Sequence, residues 1–263
     1  LQASLAGGFL VIKGDRMSNI IAFTGKARSG KDTSCSIVKN ILEDEYGYNV
    51  AVMAYADNLK LSASKIFDLT WNDLYGETKE TPQVFDLSYP ELLFKVTEAV
   101  EFTFRDERYH MDFKLMSELT GRLIMELKKV AKPTLLTRLG FSKKYKSSSR
   151  QIQQIWGTEV VRKVMGDKFW SKDLEKRMVR FHEMCSLRNQ YGFVLISDLR
   201  FDSEAEWLSR FAHQTIEVKR DNVDKVSSHV SENGISTKYE RDIIHNNGTL
   251  ADLENKLRAI IKV

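Results

Sequence analysis

Gly25-Lys26-Ala27-Arg28-Ser29-Gly30-Lys31-Asp32-Thr33 follows the apolar run Ile20-Ile21-Ala22-Phe23 and opens a segment that reads as helix. Strand, glycine-bounded loop, lysine and helix, in that order, form the GxxxxGK arrangement that cradles phosphates. Each part has a chemical reason. Gly25 and Gly30 allow backbone turns that a Cβ would obstruct. The loop N–H groups and the helix N-terminus then face phosphate oxygens. Lys31 brings a mobile point charge to the β- and γ-phosphates. Lys26, Arg28 and Ser29 complete the expected nucleotide-binding loop. Asp32 stands where a Ser or Thr would ligate a divalent cation, and Thr33 follows it. Asp32 is therefore a candidate metal ligand, directly or through water, with Thr33 able to take part of that role. A nucleoside triphosphate is the ligand this stretch predicts.

The chain around the loop has 263 residues, enough for one α/β domain with an insertion or for two small domains. Its 40 basic and 36 acidic residues leave a net charge of +4, too mild to argue for nucleic-acid binding. Cys35 and Cys185 are far apart in sequence and point to free thiols in a reducing cytoplasm. The five histidines lack metal-ligand spacing, and no apolar run reaches membrane-spanning length. Met17 reads as the natural start, with residues 1–16 a leader or loose N-terminal extension. An extra edge strand is the alternative for that stretch.

Apolar runs at Ile20–Thr24, Asn49–Tyr55, Phe193–Ser197 and Thr215–Val218 alternate with helical segments. This pattern predicts a parallel sheet covered on both faces, with a last strand near Asp242–Ile244 and a helix from Thr249. From about Trp71 to Lys146 strand signals disappear, and helical periodicity near 90–101 and 112–131 predicts a helical insertion over about 70–131. Residues 132–150, with Arg138, Lys143, Lys144, Lys146 and three consecutive serines, read as a flexible basic segment and a candidate lid. A solvated charged loop is the plainer reading of the same residues. Residues 17–263 are thus expected to form one domain.

Two further blocks carry polar residues in informative places. In Arg150-Gln151-Ile152-Gln153-Gln154-Ile155-Trp156-Gly157-Thr158-Glu159, helical spacing puts Arg150, Gln154 and Gly157/Thr158 on one face. That face offers a guanidinium fork for a phosphate and an amide for a base edge, or is simply solvated. Asp198-Leu199-Arg200 follows an apolar strand at its carboxyl end, where open α/β sheets bind ligands. Asp198 can order the shell of Mg²⁺ and Arg200 can neutralise a transferring phosphoryl group, unless the two are a surface ion pair.

GKARSGKDT, RQIQQIWGTE, Gly166-Asp167-Lys168-Phe169-Trp170 and SDLRFDSEAE, in this order, resemble the deoxynucleoside monophosphate kinases of tailed bacteriophages. Residues 228–234 and Asn246-Asn247-Gly248-Thr249-Leu250 are similar to that family's closing segments. The resemblance covers about 17–60 and 150–263. It implies a P-loop nucleoside-monophosphate-kinase-like α/β fold, and γ-phosphoryl transfer from ATP, with Mg²⁺, to a deoxynucleoside 5′-monophosphate for DNA precursor synthesis. On this basis Arg150, Gln151, Gln154, Gly157, Thr158, Trp170, Asp198, Arg200 and Glu204 contact the acceptor, Gln151 standing where a relative has a basic residue. Trp170 is equally readable as a core residue. Lys31, Arg200 and Asp198 are the expected catalytic residues, and Asp32 and Asp198 the expected metal ligands.

The expected partners are small molecules, dNMP and ATP, without membrane or polymeric nucleic acid, in a (host) bacterial cytoplasm; a homodimer is left open. Two other readings remain. One is a P-loop kinase of another small molecule, of dephospho-coenzyme A or phosphomevalonate type. The other is an ATP-dependent nucleic-acid-binding ATPase gripping phosphates with the basic segment.

Overall fold

A computed structural model describes residues 4–6, 9–11, 19–104, 113–130, 144–221 and 234–262. The chain forms two compact units, one of Leu1–Tyr55 with Ser171–Val263, the other of Ala56–Trp170.

Within the first unit, short strands β1 (Ser4–Ala6) and β2 (Phe9–Val11) pair antiparallel with each other. They lie in the stretch expected as a leader or loose extension; Met17 lies outside the described residues. The main sheet is built from β3 (Ile20–Thr24), β4 (Asn49–Met53), β7 (Gly192–Ile196), β8 (Gln214–Lys219) and β9 (Asp242–His245). Its order is β4-β7-β3-β8-β9 and every pairing is parallel.

Alternation along the strands explains how both faces are covered. Ile20, Ala22, Val194 and Ile196 enter one core with Leu174, Met178, Ala205, Trp207 and Leu208. Ile21, Phe23, Phe193, Leu195, Ile216 and Val218 enter the other with Cys35, Val38, Leu42, Leu253 and Leu257. Successive strand side chains point to opposite faces, so a run apolar throughout must be buried twice. Helices α1 (Lys31–Asp44) and α10 (Leu250–Ile260) cover one face; α8 (Phe169–Leu187) and α9 (Asp202–Leu208) cover the other. The expected parallel, doubly covered sheet is the one observed.

The second unit is mostly helical. Its core joins Ala63, Ile66 and Phe67 of α2 (Asp57–Phe67), Leu92, Val96, Ala99 and Val100 of α4 (Tyr89–Phe104), and Met116, Leu119, Leu123 and Leu127 of α5 (Phe113–Val130). Apolar residues three or four apart fall on one helix face, which is why these segments are amphipathic and bury a stripe.

Strand signals do not in fact vanish from this region. β5 (Pro82–Asp86) pairs antiparallel with β6 (Lys144–Ser148). Lys144 and Lys146 point out while Tyr145 and Ser147 are buried, an alternation that reads as a charge run when only the lysines are counted. Of the stretch expected as a lid, residues 132–143 lie outside the described residues. The remainder is no irregular loop: 144–148 is this strand, and Arg150 already belongs to α6 (Ser149–Gln154).

Between α2 and β5 the chain makes α3 (Trp71–Tyr75) and a 3₁₀ turn at Glu77–Glu80. Asp73 organises this corner. It accepts from Thr70 N–H at 2.9 Å, Thr70 Oγ1 at 2.7 Å, Thr78 Oγ1 at 2.9 Å and Gln83 Nε2. The Thr70 and other side-chain donors hold the Asp73 carboxyl below its ordinary range.

Candidate active site

The stretch expected to bind phosphates lies between β3 and α1, the strand–loop–helix order that its sequence predicts. Gly25 has φ 135° and Gly30 φ 101°, conformations that glycine adopts freely. Both are also crowded. A Cβ on Gly25 would sit 2.3 Å from the Val218 carbonyl oxygen, and one on Gly30 2.3 Å from Asn246 Nδ2. Arg28 takes φ 62°, a turn geometry that L residues seldom occupy. Lys26 and Arg28 are exposed, and Lys31 is buried with its Nζ donating to the Lys26 carbonyl at 2.9 Å. Asp32 and Thr33 are exposed on the first turn of α1, whose N–H groups have no intrahelical acceptors. The hydroxyls of Thr24, Ser29 and Ser34 are buried without a protein partner. Buried polar groups are normally satisfied, and these three lie in or beside the loop whose sequence predicts a phosphate ligand.

Asp198-Leu199-Arg200 extends β7 past its last sheet residue. Leu199 N–H donates to the Phe23 carbonyl at 3.0 Å. That bond is one residue out of step with the ladder pairing Ala22 with Ile196, so Asp198 lies in a short irregular step just past β7, beside the end of β3. Asp198 is buried, and one of its oxygens accepts from Tyr55 N–H at 2.7 Å. The end of β4 is held from a second side, where Arg177 donates to the Ala54 carbonyl at 2.7 Å. Neither Tyr55 nor Arg177 stood out in the sequence, since the groups they engage are backbone atoms or lie far along the chain.

Cys35, one turn into α1, reports the local charge. Burial pushes its thiol up to about 12, and the carboxylates of Asp32 and Asp198 push the same way. Both carboxylates therefore act on one point beside the loop. Among the described residues no three His, Cys, Asp or Glu side chains cluster as a metal site. Two carboxylates beside hydroxyls nonetheless suit a hard, oxygen-seeking dication that completes its shell with substrate phosphates and water.

Glu204 holds the backbone of its own segment. Nearly fully buried, it accepts from the N–H groups of Arg200 at 3.0 Å and Phe201 at 3.1 Å, closing the N-terminus of α9. Its role in this geometry is to hold the backbone that carries Arg200.

The residues predicted to contact an acceptor in the second unit have mixed surroundings. Arg150 pairs with Glu80, and Gln151 accepts from Ser147 Oγ at 2.7 Å. Gln154 and Thr158 are half-buried. The expected regular helix instead passes from α6 into π-helical geometry over Ile155–Arg162, then ends as α7 (Lys163–Met165). Such wide turns alter the 3.6-residue spacing, so Thr158 does not follow Gln154 in simple α-helical register.

Gly157 has a packing reason for its identity. A Cβ there would lie 2.0 Å from Leu59 Cδ1. Trp170 resolves toward the core: it is 2% exposed, packs edge-on against Phe169, and donates from Nε1 to the Gly157 carbonyl at 3.1 Å. A base-stacking indole needs an open face, and this one is covered. Of the motif at 228–234, only Gly234 falls among the described residues.

No helix of the described residues is long and apolar enough to cross a membrane. No curated protein matches the chain. A family model does, over residues 19–257, and its description is deoxynucleotide monophosphate kinase. That span includes the phosphate loop, the Asp198–Arg200 segment and all of the second unit, and it favours neither alternative reading. The chain belongs to the deoxynucleotide monophosphate kinase family.

Proposed function

We propose that residues 25–33 hold the phosphates of ATP and that Arg150, Gln154 and Thr158 take the deoxynucleoside monophosphate. Family membership makes the reaction phosphoryl transfer from ATP to a deoxynucleoside monophosphate. The observation that supports the site assignment is Asp198 just past β7, beside the end of β3, with the buried, unpartnered hydroxyls of Thr24, Ser29 and Ser34 in and flanking the loop.

In this reading Lys31 and the loop N–H groups neutralise the β- and γ-phosphates of ATP. Arg200 offsets charge on the phosphoryl group as its bond to the ADP oxygen breaks and a bond to the acceptor phosphate oxygen forms. The acceptor oxygen is already anionic, so no strong general base is needed, and catalysis comes from positioning and charge stabilisation. Asp32, Asp198 and Thr33 are the residues that would hold Mg²⁺, which supplies positive charge against the phosphate oxygens. Glu204 positions Arg200, while Gly157 and Trp170 shape the acceptor helix by packing. The product feeds DNA precursor synthesis.

The test is an ADP-release assay with Mg-ATP against each deoxy- and ribonucleoside monophosphate, with products separated by anion exchange. Diphosphate formed in step with ADP supports the assignment and reveals base and sugar preference. ADP without diphosphate would replace it with an ATPase.

A further inference from the structure

We infer that Asn246 is a positioning residue for the phosphate loop, acting through the Ser29–Gly30 peptide; this rests on the reading of residues 25–33 as the donor-phosphate loop. Asn246 Nδ2 donates to the Ser29 carbonyl at 2.9 Å, across 217 residues of sequence. A trans peptide is planar, with its C=O and N–H pointing to opposite sides. Holding the Ser29 carbonyl therefore sets the direction of the Gly30 N–H, which points away from Asn246. A donor already oriented needs no reorganisation when negative charge arrives.

The neighbouring glycine fits the same account. Gly30 has positive φ, and its missing side chain admits the amide that a Cβ would displace. The amide is itself anchored. Asn246 N–H donates to the Lys219 carbonyl at 2.7 Å. Asn247 Oδ1 accepts from Asp221 N–H at 2.9 Å, and its Nδ2 donates to Asp221 Oδ2 at 2.7 Å. The segment after β9 is thus tied to the end of β8, and β8 pairs with β3, the strand that delivers the loop. Sequence, sheet and loop meet at one side chain that makes no use of its charge-free amide elsewhere among the bonds described.

The experiment titrates ATP binding to the full chain for wild type, Asn246→Ala, Asn246→Asp, Asn247→Ala and Lys31→Ala. Steady-state kinetics with both substrates and thermal denaturation accompany it. Loss of one oriented hydrogen bond predicts about a tenfold rise in the ATP Kd of Asn246→Ala, with the acceptor KM unchanged and only a small fall in Tm. Asn246→Asp, the same size but without the donor, is weakened at least as much and carries the test if the alanine variant does not fold. Asn247→Ala, which loosens the anchor but keeps the Asn246 donor, weakens ATP binding clearly less than Asn246→Ala does.

Wild-type ATP binding by both Asn246 variants, with Lys31→Ala impaired, overturns the role of Asn246 and leaves the loop assignment standing. A lowered Tm with both KM values raised equally, or Asn247→Ala matching Asn246→Ala, makes the contact merely structural and overturns it too. Wild-type ATP binding by Lys31→Ala overturns the loop assignment itself.

Discussion

The two compact units treat their distinctive polar and small residues differently. In the first, Gly25 follows β3, Gly30 and Lys31 open α1 and Asp198 follows β7, and the buried hydroxyls of Thr24, Ser29 and Ser34 lack protein partners. In the second, Gly157 is filled against by Leu59, Trp170 is sealed in the core, Gln151 bonds Ser147 and Arg150 pairs with Glu80. Both units tie motif groups into their own packing, but the first also keeps buried hydroxyls beside its motif without protein partners. The lesson is that a motif match fixes where a residue lies far better than it fixes whether that residue meets substrate.

The sharpest way to break this contrast is Lys31→Ala. With the fold intact it should lower turnover about a thousandfold, the scale of losing a main charge-stabilising group. Near-normal ADP release from a folded variant would remove the first unit's claim to the chemistry.

Trp170 tests the other side. Trp170→Ala should cost about 3–5 kcal/mol in chemical denaturation, as large core truncations do. Trp170→Phe keeps most of the volume and should lower stability while leaving the acceptor KM unchanged. A raised acceptor KM at unchanged stability would make the indole a base contact and blur the contrast.

Glu204→Gln should cost about 1 kcal/mol by weakening the cap on α9. Because Arg200 shifts with that backbone, kcat should fall while the acceptor KM holds; a change confined to KM would make Glu204 a ligand.

The smallest expected effect concerns the corner at Asp73. Its folded pKa lies below the unfolded value of about 3.9, so its stabilising contribution is complete above that value. That contribution is lost as pH falls through the folded pKa. Asp73→Asn should therefore flatten the acid limb of the stability profile, read by denaturant midpoints between pH 5 and 2. An unchanged acid limb would show that Asp73's hydrogen bonds do not stabilise this unit.

How much of this was legible in the sequence depends on how local the cause is. Ile20–Phe23 and Phe193–Ile196 are apolar throughout, and only a strand buried on both faces needs that, so the parallel sheet could be read directly. The glycine-bounded turn from β3 into α1 was equally plain, because its glycines and lysine fall within nine residues. β6 was hidden because its lysines point outward and its inward partners, Tyr145 and Ser147, look unremarkable. Glu204 looked like a ligand, although its spacing three residues after Phe201 is that of a helix cap. Gly157 and Asn246 could not be understood from neighbours in sequence, since Leu59 and Ser29 are brought to them only by the fold.

The antiparallel ribbon of β5 and β6 has a consequence for how this chain can vary. It joins Pro82–Asp86 to Lys144–Ser148, so α4, α5 and all that lies between them form one long excursion closed at its base. The entropy of closing such an excursion grows only with the logarithm of its length, about 0.6 kcal/mol for each doubling. Closure entropy therefore sets little limit on the length of this excursion; what fixes it is α4 and α5, whose apolar stripes fill the second unit's core with α2.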